Sequence, residues 1–315
     1  MSALERLGVS IETIRQLKQR YSEKQAQTKD TFAFKWSKRD TYESEALKKN
    51  TTEWLFERYC NNNLELLDKW LAGGGKLILD AGCGAAYSAL LFFKDHLLKN
   101  DYLGVDISNA VEIAQLRFKE QGYPGDFLQT SLMDIPIPDE SIDLIYSEGV
   151  LHHTDNTKNS IAYLATKLKK GGMFLFYVYA KKAVIREFTD DHVRQALSSM
   201  SDEEAWQALK PLSKLGIALG ELGIDIEVPE DIPFLGIKRG KQDLQRFFYW
   251  NICKLFYRPE YHLDEMNHIN FDWFRPLNCH RHTKEEIEEY CARAGLSIES
   301  IKVEEAGITT AALKK

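Results

Sequence analysis

Leu77-Ile-Leu-Asp80-Ala-Gly82-Cys83-Gly84 decides how this chain is read. An apolar run ends in an acid, two glycines follow at a spacing of two, and a helix-like run, Tyr87-Ser-Ala-Leu-Leu-Phe-Phe93, comes next. That order spells a buried strand, a tight turn and a helix start. A ligand can then lie against bare backbone at the carboxyl end of the strand, where a side chain at Gly82 or Gly84 would fill its space. Gly-x-Gly after a strand also suits dinucleotides. Two details argue otherwise. A pyrophosphate turn wants a third glycine at position 87, which is Tyr87. Asp80 sits just before the glycines, where it would repel a phosphate and suit a cation such as an ammonium or a sulfonium. Taken alone, the segment also fits an ordinary strand-to-helix turn.

The next segments strengthen the ligand reading. Tyr102-Leu-Gly-Val-Asp106 is a second apolar strand ending in an acid. An acid there can accept hydrogen bonds from both hydroxyls of a ribose. Ser108 is placed to cap a helix over Val111–Gln121. A short strand, Asp126–Gln129, leads to Ser131-Leu-Met133-Asp134-Ile135, where an acid between apolar residues suits an adenine. A turn at Pro136–Ser141 precedes a fourth strand, Ile142–Tyr146, which runs into Ser147-Glu148-Gly-Val-Leu-His152-His153. A helix then ends at Leu168-Lys-Lys-Gly171-Gly172, and Met173–Tyr179 is the fifth strand.

This ordered set resembles the class I S-adenosylmethionine-dependent methyltransferases over roughly residues 75–180. The resemblance resumes at the C-terminus, where Leu296–Val303 and Ile308–Ala312 stand as the last two strands. It implies an α/β, Rossmann-like fold: a mostly parallel seven-stranded sheet with helices on both faces, plus an N-terminal helical segment and a helical insertion. It implies S-adenosyl-L-methionine as cofactor. Asp80, Gly82, Cys83 and Gly84 would line its methionine and ribose part. Asp106, with Ile107 beside it, would bind the ribose hydroxyls, and Met133 and Asp134 would frame the adenine. Ser147 and Glu148 would lie beside the methyl group. One departure stands out: a third glycine, frequent in the family two places after the second, is Ala86 here.

The whole chain sets wider bounds. Its 315 residues allow one or two domains, and 44% hydrophobic with 28% charged residues fits a soluble globular protein. No run of about 18 apolar residues suggests a membrane span, and Met1-Ser-Ala-Leu-Glu-Arg lacks the order of a signal peptide. The five scattered cysteines form no Cys-x-x-Cys, which favours a reducing, cytoplasmic location. A net charge of −6 argues against a large nucleic-acid surface.

Outside the cofactor segments, residues 1–70 form a helical, aromatic cap. Ile11–Arg20 and Thr51–Trp70 carry apolar residues at helical spacing. Between them, Thr31-Phe-Ala-Phe34-Lys-Trp36-Ser is either a lid with aromatic walls or an arm pinned by aromatic burial. Residues 71–182 and 270–315 form the methyltransferase core. Residues 183–269 form a helical insertion over the carboxyl ends of the strands, with helical periodicity at Asp202–Leu215 and Gln242–Tyr257. It serves as a substrate lid or a dimerisation element, so a homo-oligomer stays open. Asn270–Pro276 reads as a packed loop, and Thr283-Lys-Glu-Glu286 as the capping box of a last helix reaching Ala294. The histidines of 262–282 lack a metal-binding spacing, so no metal is expected.

Methyl transfer is an in-line displacement governed by positioning. A hydroxyl or ammonium acceptor also needs a base. His152 and His153 are the first candidates, with Glu148, His268 and His280 behind them. The enlarged insertion favours a small-molecule acceptor. A tRNA or other RNA acceptor is the rival enzymatic reading, and a non-catalytic scaffold that activates a partner is the third.

Overall fold

The computed structural model describes residues 2–17 and 21–315. The last part of the expected helix Ile11–Arg20 lies outside these; the described helix is Ile11–Arg15. Nine strands follow in chain order. They are β1 Leu77–Ala81, β2 Asp101–Asp106, β3 Asp126–Gln129, β4 Ile142–Glu148, β5 Leu168–Tyr179, β6 Asp225–Val228, β7 Gly240–Asp243, β8 Leu296–Val303 and β9 Gly307–Lys314. Seven of them form one sheet in the order β3-β2-β1-β4-β5-β9-β8, and β6 and β7 pair separately. β1 to β5 run parallel, and β9 runs antiparallel to both β5 and β8.

The parallel strands are apolar because both faces are covered. All five residues of β1 are buried. Alternate residues serve opposite faces. Leu77, Leu79, Leu103 and Ile145 pack with the helices Thr157–Lys167 and Lys284–Arg293. Ile78, Tyr102, Leu144 and Tyr146 pack with Glu45–Cys60, Tyr87–Phe92 and Ala110–Glu120.

Chain order sends β2 to one side of β1 and β4 to the other. The crevice at the carboxyl ends of β1 and β4 is therefore the switch point where open α/β sheets bind ligands. Ser147 Oγ ties the two strands there, donating to the Ala81 carbonyl at 2.8 Å.

The rest of the chain gathers over this edge. At the end of β5, still paired within the sheet, Tyr177 and Tyr179 join a third core with Trp206, Leu209, Phe271 and Trp273. The insertion contributes helices Val184–Leu197, Asp202–Glu221 and Leu244–Asn251. The stretch expected to be helical from Gln242 starts as strand, in β7. Asn270–Pro276 is no loop: most of it lies in a helix, Leu263–Phe274, whose face of Met266, Phe271, Trp273 and Phe274 is buried. Asparagines and aromatics made that segment read as a connection. Tertiary burial overrides that weak local preference. The helix after β2 is entered at Asn109; Ser108 donates its hydroxyl to Asp106 at 2.7 Å and its oxygen accepts the N–H of Ala110, the first helical residue, at 3.3 Å. The capping box at Thr283 and Glu286 is present.

Candidate active site

A cavity of about 750 Å³ opens at the switch point. Sites for small molecules span ~300–1,000 Å³. Gly82, Asp106, Ile107, Met133, Asp134, Glu148 and His153 all line it. Gly82 and Gly84 adopt left-handed backbone, with φ of +92° and +51°. A Cβ on Gly82 would lie 2.3 Å from Val150, and one on Gly84 2.4 Å from the Trp36 indole nitrogen. The bend is bare because neighbours press on it. Ala86, where a third glycine is frequent, also takes a left-handed φ of +55°.

Asp106 ends β2 at the cavity wall. Its carboxylate accepts from the Gly84 N–H at 2.9 Å, the Ser108 N–H at 2.8 Å and the Ser108 hydroxyl. Burial pushes this carboxyl up, and the Ser108 and Gly84 bonds pull it back. The carboxylate is thus held rigidly at the cavity wall. Tyr21 reaches over the same region. Its buried hydroxyl has no partner among the described residues, and the charges of Asp134 and Asp106 act on it.

Four expected residues stand behind the wall. Asp80 shares the parity of Ile78 and points away from the crevice. It accepts the Tyr102 hydroxyl at 2.6 Å, and burial pushes its carboxyl up to about 7. Cys83 is buried beneath the bend. Ser147 is spent on Ala81. His152 lies under the Tyr179 ring at 3.7 Å, with both ring nitrogens unpartnered.

His153 does reach the cavity. Its Nδ1 lies 2.6 Å from the Asn278 carbonyl, which can only accept, so Nδ1 carries the proton and Nε2 keeps its lone pair. Burial holds the imidazole down at about 4, and Asp272 opposes that shift. His268 has the same arrangement. The Thr41 hydroxyl donates to the Lys38 carbonyl at 2.7 Å, so His268 Nδ1 donates to Thr41 Oγ1 at 2.8 Å.

Glu148 is committed to a partner. It accepts from Arg58 at 2.5 Å and from the Tyr59 hydroxyl at 2.6 Å. Burial pushes the Glu148 carboxyl up while Arg58 pulls it down. Arg58 itself lies between two rings, 3.3 Å from the Trp54 centroid and 3.7 Å from that of Tyr177. Asp272 accepts from Lys35 and, at 2.8 Å, from Tyr179. Burial pushes Asp272 up, but Lys35, His153 and Lys254 outweigh it and hold it below the usual carboxylate range.

The N-terminal aromatic stretch lies in a helix, Glu23–Ser37. Gln25, Thr28, Phe32, Lys35 and Trp36, on one face of it, line the cavity. Phe34 faces the other way onto Trp206 and Phe271. The segment is both wall and anchor. Tyr21, Lys35 and Lys254 were not foreseen as cavity residues, nor Arg58 as the buried partner of Glu148 behind the wall. For the Glu23–Ser37 face the signal was helical spacing. For Arg58 and Lys254 the sequence carries none.

Residues 79–176 match the methyltransferase domain family. The chain is similar to YcgJ of Bacillus subtilis, an uncharacterized methyltransferase, at 30% identity over 44% of this chain and 56% of that protein. It is also 30% identical to the human probable tRNA methyltransferase 9B, over 42% of this chain and 29% of that protein. The chain therefore spans about half of one of these curated relatives and less than a third of the other. Among solved structures, the chain is similar to magnesium protoporphyrin IX methyltransferase from Synechocystis PCC 6803. That match has 14% identity and a TM-score of 0.47, covering 93% of this chain and 100% of that one. The glycine bend of β1, the acid ending β2 and the match across residues 79–176 thus identify a methyltransferase domain of the class I S-adenosylmethionine-dependent family, whose cofactor is S-adenosylmethionine.

Proposed function

We propose that this chain transfers a methyl group from S-adenosylmethionine to a small-molecule acceptor. One observation carries the reading. A single cavity joins the acids at the ends of β2 and β3 to an aromatic chamber walled by the N-terminal helix and the insertion. The residues present fit the cofactor. Asp106 would take the ribose hydroxyls, Asp134 and Met133 the adenine, and the Gly82–Gly84 backbone the methionine part. When bound, the cofactor supplies an electrophilic methyl on a sulfonium. The chain's own residues do the rest.

Tyr177, Tyr179 and Trp54 exclude water from the chamber beside Glu148. Their packing fixes the acceptor's approach, and positioning supplies much of the rate. For a hydroxyl or ammonium acceptor, His153 Nε2 takes the proton. The imidazole enters the reaction neutral because burial keeps it so, and the nearby Asp272 charge stabilises the imidazolium that forms. His268 is the second group with a free Nε2 on the wall. Glu148 acts as a positioning residue through Arg58. The free cysteines, four of the five buried, favour a reducing cytosol as the place of action.

The similarity to a probable tRNA methyltransferase supports a second reading, an RNA acceptor. One experiment separates the two. Purified chain is first titrated with S-adenosylhomocysteine by calorimetry. It is then incubated with methyl-labelled cofactor and either total RNA or the low-molecular-mass fraction of a cell extract. Label is expected in the small-molecule fraction. Label confined to RNA overturns the acceptor class, and absence of S-adenosylhomocysteine binding overturns the whole reading.

A further inference from the structure

On the insertion side of the cavity Arg258 pairs with Glu260, but two other cations, Lys254 and Arg246, have no ion pair among the described residues. Lys254 is 7% exposed and lines the chamber. Among the described residues its ammonium donates no hydrogen bond and joins no ion pair; the Trp273 ring at 4.9 Å is its recorded contact. Two carboxylates act on it: Asp272, already held by Lys35 and Tyr179, and Asp190, already held by Arg186 and Trp273. Arg246 lines the same chamber. Its guanidinium donates to the Tyr257 carbonyl at 3.2 Å and forms no ion pair among the described residues. Glu148 offers neither of them a partner, because Arg58 holds it.

The side chain is mostly buried and its ammonium opens only to the cavity, so a charge there is best satisfied by an anion arriving in that cavity. Desolvation lowers Lys254 to about 7, with Asp272 and Asp190 resisting and Arg186 adding to the fall. An anion brought to the ammonium would restore the charged form and satisfy its donors. Around this point the wall is aromatic: Tyr249, Trp250, Phe256 and Tyr261.

Resting on the methyltransferase reading above, we propose that Lys254 binds an anionic group, carboxylate or phosphate, on an acceptor whose remaining body is apolar and planar enough for the aromatic wall. The cofactor half of the cavity presents acids and the acceptor half presents cations. The two ligands are thereby sorted by charge: the sulfonium nucleoside faces Asp106 and Asp134, and the anionic acceptor faces Lys254.

The test uses the full chain saturated with S-adenosylhomocysteine. Calorimetry measures indole-3-acetate and phenyl phosphate against their neutral counterparts, indole-3-acetamide and phenol. At least one anion is expected to bind ~10-fold or more tighter than its neutral partner, the lower end for a charge-assisted hydrogen bond. Which anion wins separates carboxylate from phosphate. Lys254→Met is expected to erase the preference and Lys254→Arg to retain it, with S-adenosylhomocysteine affinity unchanged in both. Equal binding of anions and neutral partners by the unaltered chain overturns the proposal, as does no binding of either anion at 10 mM. A preference that survives Lys254→Met does the same. If Lys254→Met fails to fold, the comparison on the unaltered chain and on Lys254→Arg decides. Loss of S-adenosylhomocysteine binding by the unaltered chain would strike the methyltransferase reading instead.

Discussion

Replacing Glu148 by Gln should show first as a loss of stability, before any change in chemistry. Arg58 is fully buried and Glu148 nearly so, with side chains 0% and 9% exposed. Arg58 Nε and Nη2 have no hydrogen-bond partner among the described residues, so Glu148 alone neutralises the guanidinium. The Trp54 and Tyr177 faces add cation–π attraction but no counter-charge. Removing one partner of a buried ion pair costs about 3–5 kcal/mol. Unfolding entropy of about 2.1 cal/mol/K per residue gives this chain roughly 0.7 kcal/mol/K, so Tm should fall by about 5–8 °C. Arg58→Met should also destabilise, because Glu148 would keep only Tyr59. The double variant Arg58→Met/Glu148→Gln should lie well above the sum of the two losses, with a coupling of about 2–3 kcal/mol. Thermal and urea unfolding of the four proteins, with and without S-adenosylhomocysteine, measure this. A Glu148→Gln variant within about 1 °C of the parent, or strictly additive losses, would refute the reasoning. Normal stability with abolished transfer would return Glu148 to the chemistry.

Further expectations follow from the same geometry. Asp106→Ala removes the acceptor of three internal hydrogen bonds and of the ribose, so S-adenosylhomocysteine affinity should fall ~100-fold or more; calorimetry showing an unchanged Kd would reject the ribose role. Gly84→Ala puts a side chain at φ +51° and 2.4 Å from Trp36 Nε1, so Tm should drop and cofactor-product binding weaken; a variant that binds normally would show that Trp36 moves freely. His153 is held at about 4, below its ordinary 6.5. The unfolded chain therefore takes up a proton between those values and the native chain does not. The His153 contribution should be flat above pH 6.5 and take away up to about 3 kcal/mol as pH falls to 4. Unfolding of His153→Asn across that range should show a shallower decline, and an identical decline would mean other groups set the acid limit.

The sequence by itself determined the central sheet, because parallel strands buried on both faces must be short apolar runs, and each one here is punctuated by an acid or a glycine. β3 and β8 match their expected spans, and the acids at 106 and 134 stand on the cavity wall as expected. The fold also decided matters that no local pattern carries. Strand parity turned Asp80 toward Tyr102 and away from the crevice. Tyr179 covered His152, while His153, itself buried, kept a place in the cavity wall. Residues 90 positions apart, Arg58 and Glu148, became one buried pair. Lys254 became an unpaired cation only because helices distant in sequence closed around it. Periodicity records which face of an element is buried. The partner met there depends on how elements pack, and for the acceptor chamber that packing joins the first 60 residues to an insertion some 200 positions later.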